Sequence, residues 1–189
     1  TTDHISAAGK WLTYRGHLEN ISGNLFLGAI NAFTGATGEG WDSTDDGTRP
    51  FPEIAKRYGE AGIRWCAVGD QNYGEGSSRE HAAMEPRFRG AGAIFARSFA
   101  RIHETNLKKQ GLLPLTFADP ATWEQIGERD TITVHDLPPV PDKPVRCTIT
   151  RPDGTTVAFE ALHTFSDEQV EWFRAGSALN IVRQKVAKQ

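Results

Sequence analysis

The residues best suited to chemistry lie between Asp70 and Met84, where two adjacent serines stand beside an arginine. The centre of this run reads Gly-Glu-Gly-Ser-Ser-Arg, so Ser77 and Ser78 directly precede Arg79. Arginine binds carboxylates and phosphates in a bidentate manner, and nearby positive charge stabilises the alkoxide form of a serine. The combination predicts a site for a small polyanion, a carboxylate or a phosphate. The structural alternative is a serine-rich helix cap beside a solvated arginine.

The glycines of this run do not match common nucleotide-binding or hydrolase motifs. A dinucleotide fingerprint requires a third glycine where the chain has Arg79, and a P-loop requires Gly-Lys followed by Ser or Thr. A nucleophile elbow requires glycine two positions after the serine, and the residue two positions after Ser77 is again Arg79. Nucleotide binding through these motifs and acyl-transfer hydrolysis therefore lack support.

A strand and a helix are expected to position the serines. The apolar run Trp65 to Val68 predicts a buried strand, and residues 79–85 predict a helix that ends before Pro86. The first backbone N–H groups of a helix have no intrahelical acceptor, and the helix dipole is positive there. The serine pair is thus predicted at a position that favours anion binding.

Strands and helices alternate around this motif, which predicts an α/β fold with a mixed sheet and right-handed parallel crossovers. An exposed loop is expected at about 34–50, where Gly, Asp and Thr are dense. Ser166 and Gln169 have capping-box spacing and predict one last helix, with an apolar face of Val170, Phe173, Ala178 and Ile181. Further strands are expected at 93–96, 112–117, 131–134, 145–150 and 155–162, and further helices at 51–60, within 98–110 and at 121–126.

Composition predicts one compact domain over residues 1–189, with 38% hydrophobic and 24% charged residues. The net charge of -3 gives no general reason to expect nucleic acid as a partner. No apolar run approaches the roughly 18 to 20 residues of a membrane span, and no targeting leader is present. The chain begins Thr1-Thr2 without methionine, from which we expect a part of a longer protein.

The two cysteines, Cys66 and Cys147, lie in predicted strands and do not form a Cys-x-x-Cys pair. Free cysteine is among the most buried residue types, so both are expected to be small core residues. Iron-sulfur clusters commonly need three or four thiolates, so the chain is not expected to hold one by itself. No metal ligand is predicted.

Longer motifs of this sequence resemble the C-terminal domain of the aconitase family, in particular its mitochondrial members. The serine run continues as Gly-Glu-Gly-Ser-Ser-Arg-Glu-His-Ala-Ala, and a second long match begins Ser-Phe-Ala-Arg-Ile-His-Glu-Thr-Asn. These motifs span nearly the whole chain in the same order. The matching segments are residues 1–9, 15–18, 74–83, 98–114 and 171–180.

The resemblance implies a swivelling α/β domain, joined by a linker to three N-terminal domains that hold a [4Fe-4S] cluster ligated outside this chain. It implies a lyase of the citric acid cycle in the mitochondrial matrix. That enzyme interconverts citrate and isocitrate by dehydration and rehydration through cis-aconitate. The isolated chain is expected to be inactive, with the substrates and the cluster-bearing domains as partners, and with neither a membrane nor nucleic acid among them.

The resemblance also implies roles for particular residues. Ser77 matches the family's catalytic base, and the substrate-carboxylate contacts match Ser78, Arg79 and Arg15. Asp3 lies where the family has an active-site carboxylate, which we assign to orienting an arginine. The histidines of the matching motifs, His4, His81 and His103, are expected to have structural roles.

Three other functions are compatible with these residues. Homoaconitase, or another hydro-lyase of the superfamily such as an isopropylmalate isomerase small subunit, would share the Ser-Ser-Arg logic and differ in the substrate pocket. The long match over 101–114 argues against the isomerase subunit. An RNA-binding module is a third alternative, since some cytosolic relatives bind RNA, and the absence of a basic stripe argues against it.

Overall fold

The structure is a computed structural model that describes residues 1–188. The eight strands are β1 (Glu39–Asp42), β2 (Gly47–Pro50), β3 (Trp65–Val68), β4 (Ala91–Phe95), β5 (Leu113–Phe117), β6 (Thr131–Val134), β7 (Val145–Thr150) and β8 (Thr156–Leu162). The helices are α1 (Thr2–Ile5), α2 (Leu18–Ile21), α3 (Phe51–Glu60), α4 (His81–Phe88), α5 (Arg101–Lys109), α6 (Thr122–Gln125), α7 (Asp167–Ala175) and α8 (Ala178–Val186). Short 3₁₀ turns occupy Lys10–Tyr14 and Ser22–Asn24.

A six-stranded sheet of order β3-β4-β5-β8-β7-β6 forms the centre of the fold. The strands β3, β4 and β5 are parallel, and α4 and α5 connect them as crossovers. The strands β8, β7 and β6 add to this half in antiparallel fashion, with β7 and β8 joined by the predicted hairpin turn. The predicted α/β fold with a mixed sheet is confirmed.

Apolar side chains on both faces of the sheet fix the parallel strands in place. Successive residues of a strand point to opposite faces, so Ile94 packs with α4 and α5 while Phe95 packs on the other side with Leu115 and Cys147. Each large side chain buried in this way contributes roughly 1.5 to 3 kcal/mol. The carboxyl ends of β3 and β4, from which the serine loop and α5 emerge, are therefore held rigidly.

Helix α4 differs from the prediction because it begins later, at His81, and continues through Pro86 to Phe88. Proline removes one hydrogen bond, here the bond to the Ala82 carbonyl, and usually ends a helix. The inner face of α4 is buried, including Ala82, Ala83 and Pro86 itself, and this packing outweighs the local preference.

The stretch 34–50, expected to be a loop, contains the antiparallel hairpin of β1 and β2. An ion-pair cluster organises it: the fully buried carboxylate of Asp42 pairs with Arg49 at 3.2 Å and with Arg57 of α3 at 2.7 Å. The expectation of an irregular loop is therefore wrong over 39–50. Charged residues that locally indicate an exposed loop are here satisfied by one another.

The C-terminal segment forms two helices instead of the single predicted one. The capping box of Ser166 and Gln169 is confirmed at the start of α7. Gly176 then adopts a left-handed conformation with φ of +88° and ends α7, and Ser177 caps α8. No helix among residues 1–188 is long and apolar enough to cross a membrane.

Candidate active site

The serines lie on a loop, defined here as residues 74–80, between β3 and α4. Gly74 and Gly76 have φ of +82° and +97°, a left-handed backbone that residues with a Cβ rarely adopt. Ser77 and Ser78 follow in an exposed segment just before the first turn of α4. The two glycines of the motif therefore serve the path of the backbone, which presents both hydroxyls to solvent.

A cleft of about 270 Å³ lies between this loop and the first turn of α5. The structure brings together three of the predicted site residues here, Ser77, Ser78 and Arg79. Asp3 and Arg15 are not among the described residues that line it. The cleft is lined by residue 2, residues 74–79, residues 100–103 and residue 106.

Backbone N–H groups without protein acceptors surround this cleft. Within residues 1–188, the N–H groups of residues 76–81 and of residues 101–103 donate no hydrogen bond to another protein group. The first set belongs to the serine loop and the start of α4, and the second belongs to the first turn of α5. Unpaired N–H groups at helix starts bind anions, so both walls of the cleft favour negative charge.

The guanidinium of Arg79 is held by the N-terminal segment of the chain. Its Nη1 donates to the Asp3 carboxylate at 2.6 Å and to the Ser6 carbonyl at 2.9 Å. The hydrogen bond from Arg79 is the main cause that lowers the pKa of Asp3 below its usual value. The Thr2 N–H also donates to the Glu75 carbonyl at 2.9 Å, which fastens this segment to the serine loop. Arg79 thus enters the cleft with a fixed orientation.

Arg15 lies in an exposed turn that follows the first 3₁₀ turn. Burial lowers the pKa of the half-buried His81, and the positive charges of Arg79 and Arg15 lower it further. Both guanidinium groups therefore lie within electrostatic range of the His81 ring. Arg15 adds positive potential near the serine loop without lining the cleft.

Sequence reasoning missed two side chains of the cleft, those of Arg101 and His103 on α5. Arg101 is exposed, is the first residue of the helix and has no ion-pair partner within residues 1–188. One available signal could have found both residues. The carboxyl ends of neighbouring parallel strands lie at one sheet edge, so the helix after β4 must start beside the loop after β3.

The thiols of this chain do not fit an iron-sulfur cluster. Burial raises the pKa of Cys66 to about 11 and that of Cys147 to about 12, so both remain protonated at neutral pH. Cluster ligation requires thiolates, commonly three or four of them. Among residues 1–188, no three His, Cys, Asp or Glu side chains come together in a group that could hold a metal ion.

A larger groove of about 450 Å³ lies elsewhere, between the proline-rich run and α7. Its charged residues are three carboxylates, those of Asp167, Glu168 and Glu171, and the single Arg174, which pairs with Glu171 at 3.4 Å. This groove is therefore unsuited to an anion, in contrast to the serine cleft.

The fold and the cleft define a mixed α/β domain that presents a serine-arginine loop to an anionic ligand. A family model described as the aconitase C-terminal domain matches residues 1–120. The chain belongs to this family, and the resemblance seen in the sequence is confirmed.

The relatives found by comparison are mitochondrial aconitate hydratases. The chain is 53% identical over 189 residues to the probable enzyme of Caenorhabditis elegans, a match that covers 100% of this chain and 24% of that protein. It is 54% identical over 182 residues to the enzyme of Schizosaccharomyces pombe, covering 95% of this chain and 23% of the relative. The Saccharomyces cerevisiae enzyme is 52% identical over 184 residues, covering 97% and 24%. The chain thus spans about a quarter of the length of these relatives.

A solved structure, the 3-isopropylmalate dehydratase of Methanocaldococcus jannaschii, shares the fold with a TM-score of 0.63. The match covers 100% of this chain and 89% of the other at 22% identity. It supports the arrangement of helices and strands described above.

Proposed function

We propose that this chain is the C-terminal domain of an aconitate hydratase, a hydro-lyase that interconverts citrate and isocitrate through cis-aconitate. The observation that carries the proposal is the cleft in which Ser77, Ser78 and Arg79 meet unpaired backbone donors. Sequence identity of about half to mitochondrial aconitate hydratases supports this reaction. It also supports citrate over the longer substrate of a homoaconitase, and no observation favours RNA binding.

In the proposed reaction, the Ser77 hydroxyl acts as the base that removes a proton from a carbon next to a substrate carboxylate. A serine is a weak base unless its anion is stabilised. The N–H groups of residues 76–81 and the guanidinium of Arg79 supply fixed positive dipoles and charge for that purpose. In the reverse direction the same hydroxyl returns the proton to the substrate.

The substrate carboxylates are assigned to Ser78, Arg79 and Arg15. Arg79 is the strongest candidate, because Asp3 and the Ser6 carbonyl occupy its Nη1 and fix its orientation. A guanidinium held in this way loses little conformational freedom when it binds a carboxylate. Arg15 is exposed near the loop and would reach a substrate that extends beyond the cleft.

The remainder of the enzyme is assigned to residues outside this chain. We propose that residues 1–189 form one domain and that the other three quarters of the protein hold the [4Fe-4S] cluster, since the thiols described here do not fit one. The partners are then the cluster-bearing domains and the substrates citrate, isocitrate and cis-aconitate. The mitochondrial matrix is proposed as the location, from the names of the relatives.

The test compares wild-type full-length enzyme with Ser77→Ala in citrate dehydration, followed by the absorbance of cis-aconitate. Loss of a general base is expected to lower kcat by roughly 10² to 10⁴-fold, with a modest change in KM. Ser43→Ala, at an exposed hairpin position, serves as the matched control and should keep wild-type rates. Wild-type kcat in Ser77→Ala would refute the base role, and a wild-type enzyme without this activity would refute the proposed function.

A further inference from the structure

The ring of His103 lies directly beneath Gly74, the first residue of the serine loop. A Cβ built on Gly74 would lie 2.2 Å from Cγ and 2.3 Å from Cδ2 of His103. Both distances are far shorter than any van der Waals contact between carbon atoms. The ring therefore occupies the space that a side chain at position 74 would need, and the loop backbone rests on it.

Backbone hydrogen bonds join the same two segments beside this contact. The Tyr73 N–H donates to the Ser98 carbonyl at 2.9 Å, and the Ala100 N–H donates to the Tyr73 carbonyl at 3.0 Å. The Asn72 N–H donates to the Ser98 hydroxyl at 2.8 Å. The rings of Tyr73 and His103 also contact each other, with centroids 5.6 Å apart. The start of α5 thus forms a platform that holds the backbone entering the serine loop.

The His103 side chain acts in this platform through its shape. It is 3% exposed, and its Nε2 is buried without a hydrogen-bond partner within residues 1–188. Burial lowers the pKa of His103 to about 4, so the ring is neutral at physiological pH. A neutral, enclosed ring without a polar partner is placed poorly for proton exchange and well for supporting a backbone.

We propose that His103 is a positioning residue whose ring sets the path of the serine loop at Gly74 and so places Ser77 in the cleft. This inference rests on the proposed function, because it concerns the placement of the proposed base. It assigns no proton transfer to His103. A displacement of about 1 Å at a reacting group can lower the rate about a hundredfold, so removal of the ring should reduce kcat.

The experiment compares His103→Ala and His103→Phe in the full-length enzyme. His103→Ala should lower kcat for citrate roughly tenfold to a hundredfold, because the loop loses its support. His103→Phe keeps a ring of similar shape and removes a nitrogen that has no partner, so it should retain kcat within about threefold of wild type and the same pH-rate profile. His135→Ala, remote from the cleft at the end of β6, is the control.

Two outcomes would overturn the inference. If His103→Phe is as slow as His103→Ala, the imidazole nitrogens are needed and the role is chemical. If folded His103→Ala keeps wild-type kcat and loses only thermal stability, the ring is ordinary core packing. Should His103→Ala fail to fold, His103→Leu tests the same space with an intermediate volume. An inactive wild-type enzyme would count against the proposed function itself, whereas active wild type with unaffected variants counts only against this inference.

Discussion

Asp3 and Arg79 lie 76 positions apart in the sequence, yet the carboxylate of one accepts a 2.6 Å hydrogen bond from the guanidinium of the other. The Thr2 N–H bonds the Glu75 carbonyl at the same junction. The arginine that is proposed to grip substrate is therefore oriented by a segment at the beginning of the chain. The orientation of this arginine and the attachment of the N-terminal segment are one structural feature.

Replacing Asp3 by Asn should weaken substrate binding more than catalysis. The amide lacks the negative charge that fixes Arg79, so KM for citrate in the full-length enzyme should rise several-fold while kcat changes less. Because the folded-state pKa of Asp3 is depressed, the ion pair persists above the ordinary carboxyl pKa and is lost as pH falls through the depressed value. Steady-state kinetics between pH 6 and pH 9, at roughly constant ionic strength, should therefore show a KM defect independent of pH. Asp167→Asn, at the start of α7, is the control, and an unchanged KM in Asp3→Asn would contradict the orienting role.

Arg101 should contribute to substrate affinity, because its side chain lines the cleft opposite the serine loop without an ion-pair partner among the described residues. A charged hydrogen bond contributes about 1.5 to 3 kcal/mol, so Arg101→Met should raise KM for citrate roughly tenfold to a hundredfold. Lys109→Ala removes an exposed charge from the other end of α5 and should leave KM unchanged. Equal KM values for Arg101→Met and wild type would remove Arg101 from the binding site.

The thiols should resist alkylation in the folded chain. A thiolate is the reactive species, and a pKa of about 11 for Cys66 leaves only about one thiol in a thousand ionised at pH 8. Cys147 is also buried, with a pKa of about 12. Iodoacetamide should thus label both cysteines much more slowly in native buffer than in denaturant, as followed by mass spectrometry. Rapid labelling of Cys66 under native conditions would show that its environment opens.

The parallel half of the sheet and the serine loop could be predicted because their signals are local. The apolar run of β3 and the glycines around Glu75 indicate a strand end and a tight loop without knowledge of distant residues. The spacing of Ser77, Ser78 and Arg79 likewise identified an anion site. The choice of citrate chemistry came from resemblance to a family, because serine and arginine side chains suit many anions.

The features that the sequence did not predict depend on distant contacts. Pro86 remains helical because the buried face of α4 outweighs its local preference, and the β1–β2 hairpin forms around Asp42, whose partner Arg57 lies on another element. The break at Gly176 adjoins a close approach, since a Cβ on Gly111 would lie 2.1 Å from the Gly176 carbonyl oxygen. Arg101 was missed because only the sheet topology brings the start of α5 beside the serine loop.

Glu85 should make the stability of this chain depend on pH. It is 0% exposed, its carboxylate oxygens have no hydrogen-bond partner within residues 1–188, and burial raises its pKa to about 8. The unfolded chain releases this proton near the model value of 4.5, whereas the folded chain retains it up to about 8. Between these values the folded state binds more protons than the unfolded state, so stability falls as pH rises, by roughly 1.4 kcal/mol for each pH unit at most.

Glu85→Gln keeps the shape of the protonated side chain and cannot ionise. Its free energy of unfolding should match that of wild type near pH 5 and exceed it by an increasing margin towards pH 8, as measured by urea denaturation of the 189-residue chain at several pH values. Glu128→Gln, at an exposed position, should follow the wild-type pH dependence. A Glu85→Gln variant that is equally destabilised at every pH would instead mean that Glu85 is ionised and paired with Arg89, the nearby cation that opposes the effect of burial on its pKa.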